Sequence, residues 1–244
     1  MIYEQFLSAM NEGSKLLAIL LDPDKTDDNS LIETLGKIND SIVDFIFVGG
    51  SSVEEEATNS LVLKLRNLTT LPVVLFPGHY QQITTHADAI LFLSLISGRN
   101  PEYLINQQVK AVPYIQKTAL EVIPTGYILI DGGKETAVQR VSETKPIASD
   151  DIEKITQTAI AGMYMGNKLI YLEAGSGATK PIDAAVIRSV RKKINIPLIV
   201  GGGIRSKEEL LEAYKNGADL VVIGTAFEEN IDFLTKFMKN EHIY

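Results

Sequence analysis

The chain has no cysteine, which excludes a disulfide framework and any thiolate-bound metal. Histidine is scarce. His79, His86 and His242 show no metal-ligand spacing and read as surface or loop residues. There is no excess of basic charge either: 23 Lys and Arg against 31 Asp and Glu give a net charge of −8. That balance excludes a nucleic-acid partner, which requires a basic stripe to displace counterions from a phosphate backbone. No apolar run approaches the ~18 residues of a membrane-spanning helix, so any membrane contact is expected to be peripheral. Met1 to Gly13 is an acidic amphipathic segment with no basic n-region or long apolar core, and the expectation is a soluble, cytoplasmic enzyme. Also missing are a G-x-S-x-G elbow, an H-E-x-x-H pair, a P-loop and an Asp-rich D-D-x-x-D run. Val48-Gly49-Gly50 lacks the spacing of a dinucleotide fingerprint, and no strand core holds a lysine for Schiff-base chemistry.

What is present is a regular alternation. A length of 244 residues with 45% hydrophobic and 22% charged side chains suits one large core, and no linker or composition break divides residues 1–244. Eight short apolar runs stand out: Leu16–Leu21, Phe45–Val48, Val73–Phe76, Ala89–Leu95, Tyr127–Ile130, Leu169–Leu172, Leu198–Val200 and Leu220–Ile223. They scarcely alternate with polar residues, as expected of strands covered on both faces. Helical patterns follow at Asn29–Ile38, Val53–Asn67, Pro101–Lys117, Asp150–Met165, Asp183–Lys193 and Lys207–Asn216. Short polar side chains offer helix starts at Ser149-Asp150-Asp151 and Pro181-Ile182-Asp183. About a dozen residues link Phe76 to Ala89, so the third helix is predicted to be short or missing. The expected fold is a single α/β domain, a (β/α)8 TIM barrel with that modification. An internal echo supports it: Leu71-Pro72-Val73-Val74-Leu75 with Ala87-Asp88-Ala89-Ile90 parallels Ile196-Pro197-Leu198-Ile199-Val200 with Ala218-Asp219-Leu220-Val221.

A barrel carries its chemistry where strands end and loops begin. The run ending Val200-Gly201-Gly202-Gly203-Ile204-Arg205 and the run ending Ile223-Gly224-Thr225-Ala226 expose backbone N–H groups in the manner of a phosphate cradle. A third glycine loop ends the neighbouring run, Tyr171-Leu172-Glu173-Ala174-Gly175-Ser176-Gly177. It combines a carboxylate with a potential nest of donors, although such a loop can also be a plain turn. Across the mouth, Leu21-Asp22-Pro23-Asp24-Lys25 offers carboxylates suited to a hard divalent cation, or to a solvated turn capping the next helix. Val48-Gly49-Gly50-Ser51-Ser52 offers a hydroxyl to a metal or phosphate oxygen, or an N-cap to the helix that follows.

These segments, with Phe92-Leu93-Ser94-Leu95 and Gly126-Tyr127-Ile128-Leu129-Ile130, resemble the geranylgeranylglyceryl phosphate synthase family in order and over nearly the whole chain. The family includes archaeal ether-lipid enzymes and bacterial relatives, some of which use a heptaprenyl chain. The resemblance implies a Mg2+-dependent prenyl transfer, in which the 3-hydroxyl of sn-glycerol 1-phosphate attacks C1 of geranylgeranyl diphosphate and releases pyrophosphate. It assigns the metal to Asp22 and Ser51, which makes Asp22 catalytic through the ion; Glu173, a carboxylate placed beside the developing oxonium, is the candidate base. It assigns glycerol 1-phosphate to Tyr171, Leu172, Glu173, Ala174, Gly175, Ser176, Gly177, Gly202, Gly203, Gly224 and Thr225. It also implies a homo-oligomer, a dimer or a hexamer. A C20 chain is the family-based expectation for the tail.

The missing third helix suggests where a polyprenyl groove opens. Ile90 to Ile96, with Tyr103, Tyr114 and Tyr127, are its candidate lining, or else ordinary core. A phosphosugar isomerase or synthase of the histidine or tryptophan pathways remains the alternative, with Asp22 and Asp131 as a pair of acid and base. A non-enzymatic phosphate-binding scaffold is a third reading.

Overall fold

The computed structural model describes residues 1–27, 29–54 and 56–229. Eight parallel strands close into a barrel in sequence order: β1 (Leu16–Leu21), β2 (Phe45–Val48), β3 (Val73–Leu75), β4 (Ala89–Leu95), β5 (Glu121–Leu129), β6 (Leu169–Glu173), β7 (Leu198–Gly201) and β8 (Leu220–Ile223). The helices are α1 (Ile2–Glu12), α2 (Leu31–Asp40), α3 (Ala57–Leu68), α4 (Gln107–Ile115), α5 (Ala137–Ser142), α6 (Ile152–Tyr164), α7 (Ala184–Arg191), α8 (Lys207–Lys215) and α9 (Thr225–Glu229). Among the described residues no helix is long and apolar enough to cross a membrane.

Strand period two divides each run into inner and outer sets. Along β6, Leu169 and Tyr171 belong to the inner core, while Ile170 and Leu172 pack in the layer beneath the helices. Both sets are apolar, which is why the strands read as unbroken hydrophobic runs. The amphipathic N-terminal segment is α1, and it plugs the bottom of the barrel. Its Phe6 meets Phe45 edge-on at a centroid distance of 5.1 Å, and Glu121 accepts the N–H groups of Ile2 and Tyr3, the latter at 3.1 Å. That carboxylate satisfies helix donors that otherwise lack partners.

The internal echo has a structural counterpart at the same end. Asp88 accepts the N–H of Val73 at 2.7 Å and Asp219 accepts that of Leu198 at 2.8 Å, so each aspartate ties its strand to the preceding one. The preceding helix repeats too, since Arg66 pairs with Asp88 at 2.8 Å and Arg191 with Asp219 at 2.7 Å. Asp44 accepts the N–H of Leu17 in the same way at 2.9 Å. Three strand pairs therefore share one device for fixing register.

The predicted modification is present: after β3 comes only a single 3-10 turn, Tyr80–Gln82. Elsewhere the boundaries differ for local reasons. Strand β5 starts at Glu121 rather than Tyr127, running through Pro124 and Gly126. Proline is tolerated because β6 pairs with β5 only from Thr125 and Leu169 onward, so no ladder carbonyl faces the missing N–H. The pattern at 101–117 splits into a π-helical turn, Glu102–Asn106, and α4, which accommodates Pro113. Helix α3 starts at Ala57, four residues later than its pattern, after Glu56 with φ of 65°. Helix α2 likewise lies two residues beyond its pattern. The helix starts at Asp151 and Asp183 hold, each accepting a backbone N–H of its own first turn. His242 lies outside the described residues.

Candidate active site

The C-terminal ends of the strands surround a cavity of about 400 Å³. Asp22, Ser51, Tyr171, Glu173, Ser176, Gly177, Gly202, Gly203, Gly224 and Thr225 all line it. Leu172, Ala174 and Gly175 do not. Leu172 and Ala174 face the outer core, and Gly175 takes part through its backbone. A barrel rim collects strand ends regardless of their separation in sequence, which is how residues from 22 to 225 come to share one space.

One end of the cavity is polar and built around Glu173, which is 6% exposed. Burial pushes its carboxyl up to about 7, against the opposing pull of the Gly175 N–H and the neighbouring Tyr171 hydroxyl. The Gly175 N–H donates to Oε1 at 2.6 Å. The Tyr171 hydroxyl lies close enough to Glu173 to act on its charge, yet the pair falls outside standard hydrogen-bond geometry, and this buried oxygen has no partner among the described residues. A buried, unpaired hydroxyl facing a cavity is suited to a polar ligand. Beneath it lies an aromatic floor: Tyr171 stacks on Phe76 with centroids 5.1 Å apart, and Tyr127 packs against both at 5.3 and 5.9 Å.

The glycines around Glu173 are there for close approach. Gly202 and Gly203 sit at φ of 82° and 74°. A Cβ on Gly202 would overlap Glu173 Oε1 and lie 2.7 Å from the Gly175 nitrogen. Gly175 and Gly177 are left-handed too, with φ of 96° and 75°, and they shape the Gly-Ser-Gly loop into a nest. Thr225 closes this loop onto β8, because its hydroxyl lies 3.1 Å from that of Ser176 and accepts the Gly177 N–H at 3.2 Å. Gly224 has an ordinary φ and room for a Cβ; its carbonyl accepts the N–H groups of Phe227 and Glu228 in the first turn of α9.

Across the mouth, Asp22 is engaged twice. Its Oδ1 accepts the Asp24 N–H at 3.2 Å within the turn, and its Oδ2 meets Lys25 Nζ at 3.0 Å. The same ammonium reaches Glu228 Oε2 at 3.3 Å. This corner already holds one positive charge between two carboxylates, and Ser51 lines the same cavity. The donor set is all oxygen, and it therefore fits a hard divalent cation. Neither Ser51 nor Ser52 caps α3, whose N-cap is Glu56 with no side-chain hydrogen bond.

The other end is apolar and passes through the barrel wall. Inner-facing Leu91, Leu93 and Leu95 and outer-facing Ile90 and Phe92 of β4 all line the cavity. The cavity reaches both faces of β4 because the short connection after β3 leaves one side of its outer face open, while the π-helical turn and α4 pack on the other. Tyr103 and Tyr127 line it as expected. Ser94, Ile96 and Tyr114 are not among the lining residues; the Ser94 hydroxyl donates to the Leu104 carbonyl, and Tyr114 is 45% exposed and packs on Tyr80 at 5.6 Å.

Several contributors lacked a sequence signal. His79, read only as a loop residue, lines the mouth and accepts the Gln81 N–H. Val138 and Val141 come from α5, a six-residue helix too short for a periodic pattern. Thr136 caps it, its side chain accepting the Gln139 N–H. Glu228 and Phe76 are placed by the closure of the barrel alone. The paired acid and base of the isomerase reading is not assembled. Asp131 is exposed, is not among the cavity-lining residues and accepts the Gly133 N–H at 2.9 Å.

Known proteins match along the same outline. The model of the PcrB family matches residues 11–241. Geranylgeranylglyceryl phosphate synthase of Flavobacterium johnsoniae is 55% identical over 95% of this chain and 96% of its own length. That of Zunongwangia profunda is 53% identical over 93% and 97%. Among solved structures, (S)-3-O-geranylgeranylglyceryl phosphate synthase from Thermoplasma acidophilum, in complex with its substrate sn-glycerol-1-phosphate, superposes with a TM-score of 0.90 at 33% identity. It covers 96% of this chain and 94% of its own. With matches that run the length of the barrel on both sides, the chain belongs to the PcrB family.

Proposed function

We propose that the chain is a geranylgeranylglyceryl phosphate synthase, which joins the 3-hydroxyl of sn-glycerol 1-phosphate to C1 of geranylgeranyl diphosphate and releases pyrophosphate. The observation that carries this reading is the two-ended cavity, in which a buried carboxylate among glycine loops faces an apolar passage between β4 and α4. A phosphorylated polyol fits the first end and a long hydrocarbon tail the second.

The residues divide the work in a physically consistent way. The backbone donors of Gly202, Gly203 and Gly224 and the hydroxyls of Ser176 and Thr225, the latter held by the Gly177 N–H, receive the phosphate of the acceptor. Glu173 and Tyr171 orient its hydroxyls, and the raised Glu173 carboxylate takes the proton from the 3-hydroxyl as the ether bond forms. Holding the acceptor in this way supplies near-attack positioning against C1. Asp22 and Ser51 would hold Mg2+, which when bound neutralises charge on the diphosphate leaving group as a Lewis acid. Phe92, Leu93, Tyr103 and Ala111 exclude water from the tail.

Self-association into a dimer or hexamer and peripheral contact with a membrane belong to the same reading. The exposed Ile105, Val109 and Val112 near α4 support them. The test is transfer of radiolabel from sn-glycerol 1-phosphate into organic-extractable product. Label is expected to move only with Mg2+ and geranylgeranyl diphosphate both present, and no transfer with any prenyl diphosphate from C10 to C35 would defeat the proposal.

A further inference from the structure

We infer that Lys25 is an internal stand-in for the divalent cation: its ammonium bridges Asp22 and Glu228 and offsets part of their charge while the corner holds no metal, then swings to the diphosphate once the metal arrives. The inference rests on the metal reading of Asp22. Lys25 Nζ sits 3.0 Å from Asp22 Oδ2 and 3.3 Å from Glu228 Oε2, bridging the turn after β1 to the helix after the adjacent strand β8. Two carboxylates held this close repel each other unless a cation lies between them. The side chain that supplies it is half exposed, at 51%, whereas its partners are 16% and 22% exposed. A long, flexible lysine can therefore leave the carboxylates without unfolding anything, and its stem is anchored at the rim.

Lys25, Asp22, Glu228, Ser51 and Arg205 all line one cavity, so an ammonium released from Asp22 stays within the space that the diphosphate enters. The exchange offsets one of the two carboxylate charges before the metal binds and adds a cation to the leaving group afterwards. Strong diphosphate binding is thereby made conditional on the metal.

The test uses the full chain with Mn2+ and inorganic pyrophosphate as probes, and reads the labelling rate of Lys25 with an amine-acylating reagent by peptide mass spectrometry. Mn2+ is expected to raise that rate severalfold, and pyrophosphate added to the Mn2+-loaded protein to lower it again. In parallel, Lys25→Met should bind Mn2+ severalfold tighter than the unaltered chain and pyrophosphate, with Mn2+ present, about tenfold weaker. Lys25→Arg should restore pyrophosphate binding, and matching circular dichroism and melting curves establish that both variants fold. A labelling rate indifferent to Mn2+ would overturn the inference alone, as would unchanged pyrophosphate affinity in Lys25→Met. Absence of any saturable Mn2+ binding in the unaltered chain would overturn the metal reading and the inference with it.

Discussion

Tyr171 and Glu173 occupy successive inward positions of β6 and converge on the space above Gly201. A Cβ there would overlap the Tyr171 hydroxyl and lie 2.8 Å from Glu173 Oε2. The bare glycine of β7 thus makes room for a carboxylate that burial holds near neutrality, raised from 4.5 to about 7.

That shift has opposite consequences for activity and stability. Glu173 acts as an acceptor when charged, so the rate is expected to fall as pH drops through about 7. Glu173→Gln should remove this limb of the pH profile and lower kcat/KM by ~10²–10⁴-fold. Because the folded value is raised above the unfolded one, the stability this group contributes is complete below about 4.5 and is lost as pH rises through about 7. Glu173→Gln should therefore unfold with roughly 2–3 kcal/mol more free energy than the unaltered chain at pH 8, and equally at pH 4. Denaturant titrations at the two pH values check this.

Asp44 at the barrel bottom carries a smaller version of the same imbalance, since burial raises it from 3.8 to about 6 despite the Leu17 N–H. Asn at this position keeps an acceptor for that N–H. Asp44→Asn is expected to raise stability by about 1–2 kcal/mol at pH 8 and to change nothing below about pH 4, with activity unaffected.

Gly202→Ala forces a Cβ into a left-handed residue and onto Glu173 Oε1. Loss of stability by about 1–3 kcal/mol is expected, together with at least ~10-fold weaker sn-glycerol 1-phosphate binding by calorimetry. Gly224→Ala has space for its methyl group and an ordinary φ, so its melting temperature should stay within a degree or two of the parent.

The apolar passage predicts a change in chain-length preference. Ala111 is 5% exposed and faces the passage from α4. Tryptophan at this position would fill it and should lower kcat/KM for geranylgeranyl diphosphate at least ~10-fold relative to geranyl diphosphate. Competition assays with mixed chain lengths measure the ratio directly.

Most of the barrel was legible because inner and outer faces of its strands are both apolar, leaving runs bounded by glycine and polar loops. The start of β5 was not, since Pro124 and Gly126 read as breakers. Only the stagger with β6 shows that the missing Pro124 N–H faces no ladder carbonyl. The Ala159 to Met165 stretch carries small and apolar residues that suit packing on the barrel or on a partner alike. Ala159 and Gly162 pack inward, while Tyr164 and Met165 are 81% and 76% exposed. Within the site, Asp22, Glu173 and the glycine loops announced themselves by lying at strand ends. Lys25 and Glu228 did not, because a pairing across 203 positions exists only once β8 closes onto β1.

The most direct measurement of the two-ended cavity is a crossed binding experiment. The unaltered chain, Asp22→Asn and Gly202→Ala are each titrated with sn-glycerol 1-phosphate and, in Mg2+, with geranylgeranyl diphosphate. The account predicts that Asp22→Asn loses at least ~10-fold on the diphosphate and less than about twofold on glycerol phosphate, with the reverse for Gly202→Ala. Equal losses on both ligands, or losses exchanged between the variants, would contradict it.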